Sequence, residues 1–225
     1  MNEIRVATKE EAKAFGKLAK VDLKLNSSQL TPLEAERSRF VANEVDLYLY
    51  REGTPFLFLK DSEPVSLNIT RLSSRKRRDA WGRYSNFNIA YTLLNHRYKG
   101  YATALCTFIE QSLASQGYER MKSLIGSWGG YRLHTGLNHM MWGLGPNGCI
   151  AVDFPLRKGL FPPGIPRLSR SYGISETLTK DILLTILTDP NGLFARTEDE
   201  VLEAFEKHPP VFGKVSSASV PAIAQ

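Results

Sequence analysis

Hydrophobic spacing changes several times along the chain, and each change marks a new element. Residues 8–18, TKEEAKAFGKL, open a helix in which Thr8 is the N-cap and Glu11, three positions on, is the other half of a capping box. A short strand at residues 4–6 precedes it. A second helix begins near Thr31, where Pro32 takes the first helical position and Glu34 follows the cap, and it runs to about Asn43. From Asp46 the spacing shortens. DLYLYREGTPFLFLK holds two runs rich in aromatics and leucine around Glu52, Gly53 and Thr54, which predicts a hairpin. Residues 65–72 and 86–95 alternate as strands, the latter with Phe87, Ile89, Tyr91 and Leu93 on one side. Four consecutive strands in a meander make the first half largely antiparallel.

The period then returns to that of a helix. Ala102, Leu105, Phe108, Ile109 and Leu113 share a helical face, and Gly117 fits the position just past its C-terminus. Residues 120–127, RMKSLIGS, supply another strand, so residues 86–126 have the length and order of a βαβ crossover. Residues 128–141 are interrupted by glycine and read as helical in their second half. Two strand pieces follow around Pro146, Asn147 and Gly148. Residues 157–173, rich in proline, read as an extended connector, and two more helices are expected at 175–187 and 197–207, the second opened by a Thr197/Glu200 box. The last ten residues form a loose tail. The pattern therefore predicts an α/β (α+β) protein with a mixed, mostly antiparallel central sheet and flanking helices. Residues 1–155 make one domain, and residues 156–225 a connector and helical C-terminal extension packed on it.

Composition narrows the function classes. With 42% hydrophobic and 23% charged residues among 225, the chain can bury a core. No apolar run reaches the roughly 20 residues of a membrane span, and the polar N-terminus is unlike a signal peptide. A soluble cytoplasmic protein with no membrane partner is expected. Two cysteines, Cys106 and Cys149, and four scattered histidines give no zinc spacing, so no metal is expected.

The strongest chemical signal is Arg97-Tyr98-Lys99-Gly100-Tyr101-Ala102, placed between a strand and a helix. Glycine at 100 and a small residue at 102 let the backbone turn sharply and bring unpaired N–H groups at the helix start toward one point, which suits a phosphate. Arg97 and Lys99 add positive charge. The segment is neither a P-loop nor a dinucleotide fingerprint, because GK[ST] and GxGxxG are both missing.

These residues and the element order around them resemble the GCN5-related N-acetyltransferase (GNAT) superfamily, whose acyl-coenzyme A signature Gln/Arg-x-x-Gly-x-Gly/Ala is matched by Arg97, Gly100 and Ala102. The resemblance covers roughly residues 1 to 155. It implies an acyl-coenzyme A N-acyltransferase fold and an enzyme that moves an acyl group, acetyl in the first instance, from acetyl-coenzyme A to an amine by direct transfer. In the family the strand before the motif splays from its neighbour and offers backbone groups to the pantetheine arm. By resemblance Leu93 and Leu94 are the backbone contacts nearest the thioester, and the amides of Tyr98, Lys99, Gly100, Tyr101, Ala102 and Thr103 hold the pyrophosphate.

Family members commonly protonate the leaving thiolate with a tyrosine in the helix after the fifth strand, ahead of a Gly-aromatic pair. If Gly143 stands for that glycine, His139 falls at the customary position and Tyr131 about two turns earlier, a departure from the pattern. His139 donates a proton near neutral pH in principle, yet its neighbours Met140, Met141 and Trp142 equally suit the edge of a core, and Tyr131 equally suits ordinary packing. Asp153, Asp79 or a water chain are the options for a base. Direct transfer draws much of its rate from positioning, so the lack of an obvious base weighs little.

Charge is concentrated. Between Arg71 and Gly100 there are eight basic residues against the single acid Asp79, so this segment accounts for the whole net charge of +6. Arg75, Lys76, Arg77 and Arg78, followed by Trp81 and Tyr84, exceed what one pyrophosphate needs, and basic residues interleaved with aromatics suit DNA or RNA. Two alternatives follow. One is a nucleic-acid-directed modification enzyme, as in the phage Mom-type members of the same superfamily. The other is a non-enzymatic nucleic-acid-binding protein, which would bind DNA or RNA without affinity for acyl-coenzyme A. The amine acceptor is a small molecule, a protein or a nucleic acid. The stretch from Ile174 onward is acidic, with eight acids against four bases, and suits covering the acceptor side, packing on the basic loop or forming a homodimer.

Overall fold

The computed structural model describes residues 1–72, 78–79, 82–145, 148–156 and 176–213. All three capping boxes form. In helix α1 (Lys9–Asn26) the Thr8 hydroxyl accepts the Glu11 N–H at 3.1 Å and the Glu11 carboxylate accepts the Thr8 N–H at 2.8 Å. Thr31 and Glu34 open α2 (Pro32–Tyr50) in the same way, and Thr197 and Glu200 open the last helix. Each box satisfies two N–H groups that a helix start leaves without partners.

Helix α2 overruns its expected end by seven residues and absorbs the first arm of the predicted hairpin. Residues 46–50 alternate like a strand, but Ala42, Val45 and Leu49 are buried at helical spacing while Asp46 and Tyr50 face solvent, so tertiary burial decides the conformation. Gly53 marks the helix-to-strand junction instead. A Cβ there would lie 2.4 Å from the Ile69 side chain and 2.7 Å from the Tyr48 carbonyl oxygen. The hairpin lies one strand later, between β2 (Gly53–Lys60) and β3 (Glu63–Leu72), where Asp61 and Ser62 both take positive φ in a two-residue turn.

With β1 (Asn2–Val6), β4 (Arg78–Asp79), β5 (Gly82–Thr92), β6 (Arg120–Ile125), β7 (Met140–Leu144), β8 (Ile150–Pro155), β9 (Glu176–Thr177) and β10 (Val211–Phe212), the sheet runs in the order β1-β2-β3-β5-β6-β8-β7-β10. Neighbours are antiparallel except β5 with β6 and β7 with β10. The parallel pair is joined through α3 (Tyr101–Ser115), the expected crossover. Helix α4 (Trp128–Gly136) occupies the first half of residues 128–141, not the second. Ser127 caps it through the Gly130 N–H at 3.1 Å, and Trp128, Tyr131, His134 and Thr135 bury one side. Helix α5 (Lys180–Thr188) starts five residues later than expected, at its cap Thr179, because Glu176 and Thr177 pair with β7. Helix α6 spans Glu198–Lys207.

A core lies on each face of the sheet. Phe15, Ala19, Val45, Leu49, Leu67 and Ile89 join α1 and α2 to one face. Leu105, Ile109, Met121, Val152, Leu183 and Phe205 join α3 to α6 to the other, so the C-terminal helices share a core with the central crossover. No described helix is long and apolar enough to cross a membrane. The expected connector and tail lie outside the described residues.

Candidate active site

Strands β5 and β6 pair only at Tyr84, Ser85 and Asn86 against Arg120, Met121 and Lys122. Beyond that point both continue, β5 to Thr92 and β6 to Ile125, without pairing to each other, while their outer edges stay paired to β3 and β8. The cause is local. Ile69 pairs with Ile89 but Thr70 pairs with Phe87, so Asn88 is an extra residue in β5, and a bulge of this kind bends its strand and increases its twist. The result is a cleft at the centre of the sheet, where the facing edges of β5 and β6 part from each other.

The Arg97 to Ala102 turn stands at the end of this cleft. Tyr98 and Gly100 both have positive φ, 61° and 82°, and Gly100 is the N-cap of α3. A left-handed residue followed by right-handed ones aims consecutive N–H groups at one point. The N-caps of α1, α2, α4, α5 and α6 are all hydroxyl side chains bonded to helix amides, whereas α3 has no side-chain cap. Tyr101, Ala102 and Thr103 thus start the helix with uncapped N–H groups at the positive end of its dipole. A Cβ on Gly100 would meet nothing within 4 Å among the described residues, so the turn is open on that side. The residues present fit a phosphorylated ligand such as the pyrophosphate of coenzyme A.

The two basic side chains of the motif are used differently from expectation. Arg97 turns back into the protein, where its Nε donates to the Thr92 carbonyl at 3.2 Å, its Nη2 donates to the Ser38 hydroxyl at 3.1 Å, and its guanidinium lies 5.4 Å from the Tyr91 ring. It braces the turn against α2. The Lys99 ammonium donates to the Asn95 carbonyl at 2.7 Å and remains exposed. Leu93 and Leu94 are also occupied. The Leu93 N–H bonds the Val65 carbonyl, the Leu94 N–H bonds Asp22 Oδ2 at 2.8 Å, and their carbonyls accept from His96 and Arg97. The unpaired backbone along the cleft therefore lies earlier in β5, after Asn86.

Three contributors escaped the sequence reading. Asp22 is buried on α1 and holds the strand-to-turn junction through Leu94, with the Tyr91 hydroxyl donating to it at 3.4 Å. Ser38 anchors Arg97. Arg132 on α4, exposed, places its guanidinium 5.2 Å from the Tyr98 ring and so brings another cation to the turn. In the sequence Asp22 is one acid among the lysines of a surface helix, and nothing about Ser38 or Arg132 sets them apart.

Among the described residues no hydrogen bond or ring contact joins His139 to Tyr131. His139 is 4% exposed and stacks on Phe154 at 3.5 Å. Its Nε2 lies 3.1 Å from Glu110 Oε1 and its Nδ1 2.8 Å from His134 Nδ1. Both ring nitrogens are engaged. His134 is wholly buried, and burial, with the neighbouring His139, holds its pKa well below the usual 6.5. Tyr131 is fully buried, stacks on Trp128 at 5.2 Å, and its hydroxyl has no hydrogen-bond partner among the described residues. Burial raises its pKa, so it stays protonated at neutral pH. Asp153 sits on β8 opposite Lys122, buried, with Oδ2 3.3 Å from Arg120 Nη1. Among the described residues no group of three His, Cys, Asp or Glu side chains is placed to hold a metal. Arg75, Lys76, Arg77 and Trp81 lie outside the described residues, as do the side chains of Arg78 and Asp79; Tyr84, the other aromatic expected to stack a base, is half-buried with the Lys122 ammonium 4.0 Å from its ring.

No family model matches the chain, and no curated protein matches it in sequence. Solved structures do. The PaiA N-acetyltransferase of Thermoplasma acidophilum, in complex with coenzyme A, is 10% identical and aligns with 69% of this chain and 99% of its own, at a TM-score of 0.50. A GNAT-family protein from Desulfovibrio desulfuricans gives 11%, 70%, 100% and 0.50 for the same measures. The aminoglycoside 6′-acetyltransferase type Ii gives 14%, 69%, 97% and 0.51. Likeness at such identities is likeness of fold, and the chain has the fold of the GCN5-related N-acetyltransferases.

Proposed function

We propose that the protein is an acyl-coenzyme A-dependent N-acyltransferase that moves an acyl group, acetyl in the first instance, to an amine by direct transfer. The observation that carries this is the uncapped start of α3 under left-handed Gly100, set at the end of the cleft between β5 and β6. The amides of Tyr101, Ala102 and Thr103 bind the pyrophosphate, with Lys99 and Arg132 supplying charge nearby. Arg97, through Ser38 and Thr92, and Asp22, through Leu94, hold the turn in shape. The unpaired edge of β5 orients the pantetheine arm. The co-substrate supplies a thioester whose carbonyl carbon the amine attacks, so that a C–N bond forms, the C–S bond breaks, the amine gives up a proton and the departing thiolate takes one.

Of the two proton donors expected, the surroundings favour Tyr131 over His139. The Tyr131 hydroxyl is protonated and has no partner among the described residues, which leaves its proton available to the departing thiolate. The ring nitrogens of His139 are taken up by Glu110 and His134. Asp153 is committed to an ion pair with Arg120, which leaves positioning as the main source of rate. The fold-mates described as N-acetyltransferases, one in complex with coenzyme A, support the reading.

The test is release of free thiol from acetyl-coenzyme A against a panel of amines, including polyamines, aminoglycosides and lysine peptides. Amine-dependent release is expected from wild type, with a fall of roughly 10²-fold or more in Tyr131→Phe, the size typical of general acid catalysis, at unchanged coenzyme A affinity. Thiol release that Tyr131→Phe leaves intact removes Tyr131 from the mechanism. Release with no amine in the panel contradicts the proposed activity.

A further inference from the structure

On the face of the molecule formed by α1 and α2 runs a cleft that neither the sheet nor the phosphate turn explains. It consists of two adjoining hollows of about 590 and 430 Å³ that share Lys20 and Ala42. One wall carries Lys9, Lys13, Lys17, Lys20 and Lys24, all exposed and all on one side of α1 at intervals of three or four residues. Arg39 adds a sixth cation from α2, and Asp46 is the single acid in the lining. None of the six cations pairs with an acid among the described residues. Two of the three acids of α1 are committed elsewhere, Glu11 to Arg5 and Asp22 to the backbone of Leu94, and the third, Glu10, is exposed and outside the lining of the cleft.

Such a stripe works against its own helix. Lys9 with Lys13, Lys13 with Lys17, and Lys20 with Lys24 are like charges four residues apart, a spacing that destabilises a helix unless a counter-charge arrives. The floor is apolar, with Ala42, Val45 and Leu49 buried beneath, and Tyr50, 87% exposed, stands in the lining of the larger hollow. From Lys9 to Lys24 the helix rises about 22 Å, the length of roughly six phosphates of one strand at about 3.4 Å each. A cationic groove that tracks a backbone, with an aromatic ring to stack a base, is the usual construction of a single-strand site.

We propose that the α1–α2 groove binds single-stranded nucleic acid through its phosphates. The site is separate from the acyl-transfer cleft and does not depend on that activity. It also differs from the basic run at residues 75–78.

Fluorescence anisotropy of a labelled twelve-nucleotide single strand, as DNA and as RNA, tests it across 50 to 300 mM salt with no acyl-coenzyme A present. Lys17→Gln/Lys20→Gln should weaken binding at least tenfold and reduce the salt slope by about 1.4, two phosphate contacts at ~0.7 each. Lys180→Gln/Lys207→Gln, which removes equal charge from α5 and α6, should change affinity less than twofold. Tyr50→Ala should weaken binding further. All these side chains are exposed, and circular dichroism melts no lower than that of wild type confirm that each variant folds. Absence of binding at 50 mM salt overturns the proposal. So does equal weakening by the two lysine pairs, which would mean attraction to net charge alone. Displacement of the strand by polyglutamate of matched charge at equal concentration, or binding to anionic vesicles without binding to the single strand, overturns it in favour of another anionic partner.

Discussion

Tyr131 and His134 show how single buried polar groups constrain this molecule. If the Tyr131 hydroxyl had only a packing role, its removal would relieve an unpaired buried dipole. Tyr131→Phe should therefore melt at the wild-type temperature or above it, in contrast to the usual loss on trimming a buried side chain. A melting temperature lowered by several degrees would mean that the hydroxyl has a partner in the folded protein. His134 is neutral in the fold and takes up a proton near pH 6.5 when unfolded. The folded pKa is depressed, so its contribution is present above pH 6.5 and declines as pH falls below it, while the unfolded chain gains a proton. Glu11 acts in a lower window. The Arg5 guanidinium and the Thr8 N–H pull its pKa from 4.5 to about 2, so its contribution is lost between those values as pH falls. Melting temperature against pH should bend downward first below 6.5, less steeply in His134→Gln, and again below 4.5, where Glu11→Gln flattens the curve. A melt independent of pH between 7.5 and 5 would contradict the buried neutral assignment. Gly100, the three threonine caps and their glutamates were legible in the sequence because each acts on its immediate neighbours. Asp22, Ser38 and Arg132 were not, since their partners lie far away along the chain.

At the scale of elements, one inserted residue in β5 has the largest effect. The bulge at Asn88 turns the strand from β6 and opens the cleft, yet nothing in the alternation of residues 86–95 announces it. The α2 overrun has the same origin: Asp46 to Tyr50 alternates like a strand, and burial of Val45 and Leu49 outweighs that preference. Three separate elements converge on the turn before α3. Helix α1 reaches it through Asp22, α2 through Ser38, and β5 through Thr92. Asp22→Ala should cost about 1–3 kcal/mol by leaving the Leu94 N–H buried without an acceptor, and should weaken coenzyme A binding as the turn loosens. Asp22→Asn, which keeps a carbonyl for that N–H, should recover most of both. Chemical denaturation and coenzyme A titration of the two variants check this; equal losses in Asn and Ala would show that the negative charge, not the hydrogen bond, matters.

For the whole molecule, the order of elements was more legible than their ends. The crossover through α3 and its place after an antiparallel meander followed from local spacing, and they locate the cleft. The packing of α5 and α6 onto the same core as α3 depends on long-range contacts among Leu183, Leu187, Val201 and Phe205, which no local pattern encodes. Net charge also reads differently in three dimensions. The sequence concentrates it in residues 71–100, but Arg97 is spent on bracing the turn, whereas the lysines of α1, diluted in sequence by Glu10, Glu11 and Asp22, gather along one groove. The central claim is that the start of α3 is a phosphate site for coenzyme A, and isothermal titration calorimetry of coenzyme A into wild type and Gly100→Asp tests it most directly. Gly100 has φ of 82° and open space around its Cα, so the aspartate strains the turn by about 1–2 kcal/mol and sets a negative charge before the helix without displacing the core. Saturable one-to-one binding by wild type and at least a tenfold loss in Gly100→Asp is the predicted result; no binding by wild type, or equal binding by both, would contradict it.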